Sequence, residues 1–263
     1  LGDVYKRQVY LHNLVVDLNP GKEEAFRAGH EAKHAENYRI NSFHLGEGSS
    51  KQKFRANMDA IYTLKALENQ QRDATPEEQE TLANYVGWGG LADAFDAEKT
   101  AWAGEYKELK AALTEEEYAA ARASTLNAHY TSPTVIRAIY EALDGMGFEK
   151  GNILEPSMGV GNFFGMLPDS MLGSRLYGVE LDSITGRIAQ KLYPQAEIKV
   201  AGFETTDRRD FYDLAVGNVP FGNYRVSDKP YDKLGFSIHN YFFAKALDQV
   251  RPGGIVAFVT SRY

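Results

Sequence analysis

The run Asp213-Leu214-Ala215-Val216-Gly217 leads into Asn218-Val219-Pro220-Phe221, and these last four residues can do chemistry together. The Asn218 side-chain oxygen accepts a hydrogen from an amine or amide. The Val219 backbone carbonyl is a second acceptor, oriented by Pro220, whose ring fixes its own backbone torsion. Phe221 offers a flat face to a planar base turned out of a helix. An aromatic amine is a poor nucleophile because its lone pair is shared with the ring. Two acceptors on its hydrogens localise that pair on nitrogen. The tetrad therefore points to chemistry at a planar nitrogen, with no acid, metal ion or covalent intermediate required. The bland reading is a strand-end turn around a buried Phe.

A second group lies upstream, in Ile153-Leu154-Glu155-Pro156-Ser157-Met158-Gly159-Val160-Gly161-Asn162-Phe163-Phe164. Gly159 and Gly161 stand where a strand turns into a helix and backbone must approach a ligand closely. A dinucleotide fingerprint needs its third glycine three residues after the second, whereas Gly165 lies four after Gly161. A nicotinamide or flavin reading loses support. Glu155 directly precedes the loop, from where a carboxylate answers the cationic methionine end of S-adenosylmethionine rather than repelling a pyrophosphate. Glu180 ends the next apolar run, where an acid accepts both hydroxyls of a ribose. Asp182 follows it and competes between that role and capping the next helix.

In this order, Glu155-Pro156 with Gly159 and Gly161, then Glu180, then Asn218 to Phe221 resemble the motifs of the amino-methyltransferases that modify adenine N6 in DNA. The resemblance spans about residues 127–260. It implies S-adenosylmethionine as cofactor and DNA as partner. It also implies that the segment ahead of the glycine loop touches the cofactor, here Ala128-His129-Tyr130-Thr131-Ser132-Pro133, with Tyr130 and Thr131 as the contacts. More narrowly, Gly87-Trp88-Gly89-Gly90 and the tetrad look like the methylase regions of large helicase-linked proteins on conjugative elements and phages, which implies a helicase-like region in the same longer polypeptide. The sequence departs from the family pattern twice. Val219 replaces the usual second proline, keeping the carbonyl without the ring. The acid expected after the third strand, which contacts the cofactor adenine, falls at Gly202, leaving Glu204 as its substitute.

The elements that must hold these groups follow from periodicity. Short apolar runs at 152–154, 175–179, 197–200, 213–216 and 255–260 alternate with helical spacing at 183–192 and 238–250. That alternation predicts an α/β fold, a Rossmann-like doubly wound sheet, with ligands at the carboxyl ends of its strands. Ahead of it, residues 9–125 read as a mainly helical region, with helix patterns at 56–69 and 75–86. Thr75-Pro76-Glu77-Glu78 is a helix start and Gly87-Trp88-Gly89-Gly90 a stop and tight turn, with Trp88 as a packing anchor. Residues 1–8 read as a leader foreign to the fold. The expected core, 126–263, stops before the last strands such a sheet should have.

Composition limits the alternatives. The 263 residues with 43% hydrophobic content suffice for a proper core. No apolar stretch approaches the roughly 18 residues that cross a membrane, and no signal segment directs the chain out of the cytoplasm. The absence of cysteine removes disulfides and thiol chemistry. A net charge of -7 tempers the DNA reading, although basic Arg225, Lys229 and Lys233 follow the tetrad. His30-Glu31-Ala32-Lys33-His34 matches a zinc-protease pattern, but its surroundings are charged and no third ligand is evident, so a solvated helix face is preferred and no metal is expected. Two further readings stay open. Protein glutamine methylation uses a similar tetrad on a planar amide, and a non-catalytic DNA- or cofactor-binding module is motivated by Val219 and Gly202.

Overall fold

The computed structural model describes residues 8–11, 14–17, 35–41, 46–125, 131–222 and 224–260. The chain divides into two units. In Leu1–Ala35, β1 (Gln8–Leu11) and β2 (Leu14–Asp17) pair as an antiparallel hairpin. The second unit, Glu36–Tyr263, contains the remaining helices and strands.

Its helical part begins with α1, Ser50–Gln70, where the Ser49 side chain accepts from the Gln52 N–H and Gln52 reaches back to the Ser49 N–H. That reciprocal cap satisfies two otherwise orphaned donors. Phe54, Met58, Ile61 and Leu64 recur at helical spacing and are buried. The Thr75-Pro76 start is realised in α2, Pro76–Ala83, with Glu78 completing its cap and pairing with Arg72. Two more helices follow, α3 (Ala103–Ala112) and α4 (Glu115–Ser124). Trp88 is 1% exposed and meets Phe54, Tyr85 and Phe95 edge-on, the packing anchor expected of it.

The α/β part runs α5 (Pro133–Gly145), β3 (Asn152–Glu155), α6 (Asn162–Gly165), β4 (Arg175–Glu180), α7 (Ser183–Leu192), β5 (Glu197–Val200), β6 (Tyr212–Asn218), α8 (Ile238–Gln249) and β7 (Val250–Val259). The strands form one sheet in the order β5-β4-β3-β6-β7, every pairing parallel. This is the doubly wound, Rossmann-like order, and it reverses direction between β3 and β6. Strands β4 to β6 lie within a residue or two of their predicted positions. β7 begins five residues early, because Val250 pairs with Tyr212 before the Pro252-Gly253-Gly254 irregularity interrupts the ladder and Ile255 resumes it opposite Leu214.

Alternation along the central strands divides the interior. Ile153, Leu214 and Val216 face one cluster, which also contains Phe54, Met58, Leu64 and Trp88 from the helical part and Ile184 and Ile188 from α7. The helices and the sheet therefore share a core. Leu154 and Ala215 face the other cluster, with Val219, Tyr241 and Phe242. On that side Lys245 of α8 is buried, its ammonium donating to Asp228 Oδ2 at 2.6 Å and to the Glu204 carbonyl at 3.2 Å, while the Tyr241 hydroxyl donates to the same Asp228 oxygen at 2.7 Å. This pair ties the segment after the tetrad to α8. Its side chains are only 4% and 9% exposed, so removing one charge strands the other in the interior. Lys245→Met is expected to lower unfolding stability by about 3–5 kcal/mol in urea titration, and adding Asp228→Asn should recover part of the loss.

Candidate active site

Because β3 and β6 are neighbours at the point where strand order reverses, their carboxyl ends flank a crevice. Glu155 closes β3, Glu180 closes β4 and Asn218 closes β6. A cavity of about 250 Å³ opens there, and Thr131, Glu155, Gly159, Glu180, Asp182, Asn218, Val219, Pro220 and Phe221 all line it. Residues separated by up to ninety positions thus share one space. Pro156 and Gly161 shape the loop without lining the cavity, and Tyr130 lies outside the described residues.

The loop between β3 and α6 is folded by its own backbone. The Met158 N–H donates to the Val179 carbonyl at 3.0 Å, and the Gly161 N–H to the Met158 carbonyl at 2.8 Å. Gly161 has φ +84°, and a Cβ there would stand 2.5 Å from the Tyr193 ring, so both torsion and space demand glycine. Gly159 has φ +56° and nothing within 4 Å of the place a Cβ would take. Its bare backbone borders the cavity, as a close ligand approach requires. The Gly159 N–H donates to Glu180 Oε2 at 2.8 Å, and the Asp182 N–H to Glu180 Oε1 at 2.8 Å. Glu180 is thus held rigidly across the loop.

Both acids sit in hostile surroundings for charge. Glu155 is 2% exposed, its Oε2 has no hydrogen-bond partner, and burial followed by the Glu180 charge pushes its carboxyl well above the usual carboxylate range. Burial, with the Asp182 charge, also pushes Glu180 up to about 7, against the lowering by the N–H groups of Asp182, Gly159 and Leu181. Among the described residues, neither forms a salt bridge. Asp182 caps α7, its Oδ1 accepting from the Thr185 N–H and hydroxyl at 2.8 and 2.6 Å, and it also lines the cavity.

Val219 replaces the ring it lacks with a hydrogen bond. Its N–H donates to the Val259 carbonyl at 3.4 Å, extending the β6–β7 ladder by a residue, and its side chain is 1% exposed against the second cluster. A proline there would forfeit that bond. The peptide ahead of Pro220 is held by ladder and packing.

Glu204 falls in a short turn, Phe203–Thr205, and does not line the cavity. Its carboxylate lies over Gly202, filling the space a Cβ there would need. Several lining residues escaped the sequence reading. Tyr85, Gly87 and Ser124 come from the helical part, Thr185 from α7, and the half-exposed Tyr224 from just beyond the tetrad. The Gly-Trp-Gly-Gly turn was visible as punctuation, but punctuation does not tell which cavity a turn borders. The histidine pair at 30–34 lies outside the described residues, and among those described no three His, Asp or Glu side chains gather as a metal site.

No family model matches the chain. It is 29% identical over 221 residues to the defense against restriction protein B of Escherichia phage P1, covering 81% of this chain and 8% of the phage protein. It is 34% identical over 92 residues to the type II methyltransferase M.CvrRI of Paramecium bursaria Chlorella virus XZ-6E, covering 35% of this chain and 24% of that enzyme. The chain thus spans a small part of either relative. Among solved structures, a Listeria monocytogenes protein assigned to the class I S-adenosylmethionine-dependent methyltransferases superposes with a TM-score of 0.43 and 14% identity, over 81% of this chain and 74% of its own.

The raised acids predict a pH signature. A carboxyl whose native value lies above its unfolded one binds its proton more tightly when folded, so its stabilisation is full below the ordinary carboxylate range and is lost as pH rises through about 7. Stability of the ligand-free protein is expected to fall between about pH 5 and 8, by up to about 3 kcal/mol from Glu180. Glu180→Gln should flatten that slope in denaturant titrations at each pH; an unchanged slope would mean that Glu180 is ionised throughout.

Proposed function

We propose that this chain is an S-adenosylmethionine-dependent methyltransferase acting on the exocyclic N6 amine of adenine in DNA. One observation carries the reading: a single cavity at the switch point of the sheet gathers the tetrad Asn218 to Phe221 with the buried Glu155, the half-buried Glu180 and the bare Gly159 backbone. The residues suit the cofactor. Glu155 is a buried carboxylate with an unpartnered oxygen, a place for positive charge, and Glu180 is fixed where it can accept the hydroxyls of a ribose. When bound, S-adenosylmethionine supplies an electrophilic methyl group on a positively charged sulfur.

The chain's own residues do the rest. Asn218 and the Val219 carbonyl accept the two hydrogens of the target amine and turn its lone pair toward the methyl carbon. Phe221, half-buried at the cavity wall, gives the extruded base a face to lie on. The amine nitrogen would take that methyl group with a neutral sulfide as the leaving group, and its surplus proton would pass from the hydrogen held by Asn218 to solvent water. A bound cation would draw Glu155 back to its ionised form, and the carboxylate would then favour the cationic donor over the neutral sulfide left after transfer.

One relative is named as a methyltransferase and the other for defence against restriction, and both names favour a DNA acceptor. The proposed setting is a longer mobile-element polypeptide with a helicase-like region; the phage origin and great length of the first relative favour the longer polypeptide.

Tritiated methyl groups should pass from S-adenosylmethionine into adenine of unmethylated DNA with the full-length protein. Asn218→Ala should reduce that transfer by roughly 100-fold or more while calorimetric binding of S-adenosylhomocysteine stays near wild type. Undiminished turnover in the variant would sink the mechanism. Label entering protein glutamine instead of DNA would move the acceptor assignment, and cofactor binding without any transfer would make the chain a binding module.

A further inference from the structure

On the reading that the cavity holds S-adenosylmethionine, we propose that the turn at Tyr85 to Gly87, together with Ser124, is the wall that holds the nucleoside end of the cofactor. The turn after β5, where an adenine contact was expected, does not supply that wall. Gly202 has no side chain, the Glu204 carboxylate is folded over it, and Phe203 is buried against Phe242, so none of the three lines the cavity. The helical part supplies Tyr85, Gly87 and Ser124 instead.

This edge is a built feature. Asn57 of α1 is fully buried, and its amide is spent entirely on the turn: Nδ2 donates to the Gly87 carbonyl at 2.6 Å and Oδ1 accepts the Val86 N–H at 2.8 Å. A buried amide satisfied on both sides holds its partners to one position. Gly87 takes φ +69°, a torsion that admits few other residues. Three residues on, the Gly90 N–H donates to the Thr125 carbonyl at 3.2 Å, which draws the end of α4, and with it Ser124, to the same rim.

The wall also faces the appropriate side. The Tyr85 side chain is 2% exposed and borders the same cavity as Thr185 and Asp182, and Asp182 lies two residues beyond the ribose acid Glu180. An aromatic ring, a glycine backbone and a serine hydroxyl make a surface suited to a purine, with apolar area for the ring and polar groups for its edge.

The test measures binding by calorimetry on the full-length protein, with S-adenosylhomocysteine and with adenosine alone. Tyr85→Ala is expected to weaken both ligands at least tenfold and by the same factor, since the lost contact belongs to the part they share. Ser124→Trp, on the half-buried rim, should block both ligands with an unchanged melting temperature, and it keeps the test decisive if Tyr85→Ala fails to fold. Glu204→Ala should bind both as wild type does. Wild-type affinity in Ser124→Trp, or a tenfold loss in Glu204→Ala, would overturn the inference and return the nucleoside to the turn after β5. Wild-type protein that binds neither ligand would instead overturn the cofactor reading, and this inference with it.

Discussion

Two carboxylates at the ends of adjacent parallel strands, both turned into one poorly solvated cavity, set the terms for the rest of the site. Burial raises the cost of ionising both, the Glu180 charge adds to it at Glu155 and the Asp182 charge at Glu180, and among the described residues neither has a basic side chain to offset it. What the fold provides is a pair of backbone N–H groups on Glu180 and a glycine loop that leaves the space before them open. Such a site holds unspent electrostatic attraction for a cation. The glycines, the switch in strand order and the tetrad on β6 all serve to bring something positively charged, and something with a planar nitrogen, into that space.

The helical part belongs to this arrangement as structure and not as an appendage. Its apolar faces complete the cluster under one side of the sheet. Glu117 shows how polar contacts reinforce the join: it caps α4 and pairs with Lys65 of α1 at 2.9 Å and Arg187 of α7 at 2.8 Å. Burial works to raise its carboxyl, yet the Thr114 N–H and these two cations hold it below the usual range. Gln79 adds a bond from α2 to the Leu192 carbonyl at the end of α7. With helices and sheet joined so closely, a loop from one can act as the wall of a cavity in the other.

Legibility in the sequence followed the range of the interactions concerned. Strands β4 to β6 and helix α7 could be read because their signals, apolar runs and capping residues, are local. Glu155, Gly159, Glu180 and the tetrad could be placed together because parallel strands carry their carboxyl ends to one edge. Tyr85 and Gly87 could not, since their turn depends on Asn57, about thirty residues away in sequence, whose amide looks like any polar residue on a helix, and Ser124 reaches the rim only through the bond of Gly90 to Thr125. Val219 was legible as a departure, but the ladder bond to Val259 that holds it depends on a strand forty residues downstream. Glu204 stood at a plausible spacing, while Gly202 beside it left room for its carboxylate to fold away from the cavity.

The strand order has a consequence for how the chain is made. β3 is central, paired with β4 on one edge and β6 on the other, yet β6 leaves the ribosome long after β3 and β4. At roughly 5–20 residues per second, several seconds of synthesis pass with one edge of the future central strand unpaired and the β3 end of the site without its partner. During that interval the nascent chain carries the exposed edge that nascent-chain chaperones shield, and the helices made before it, already able to cover one face, are the first protection it has.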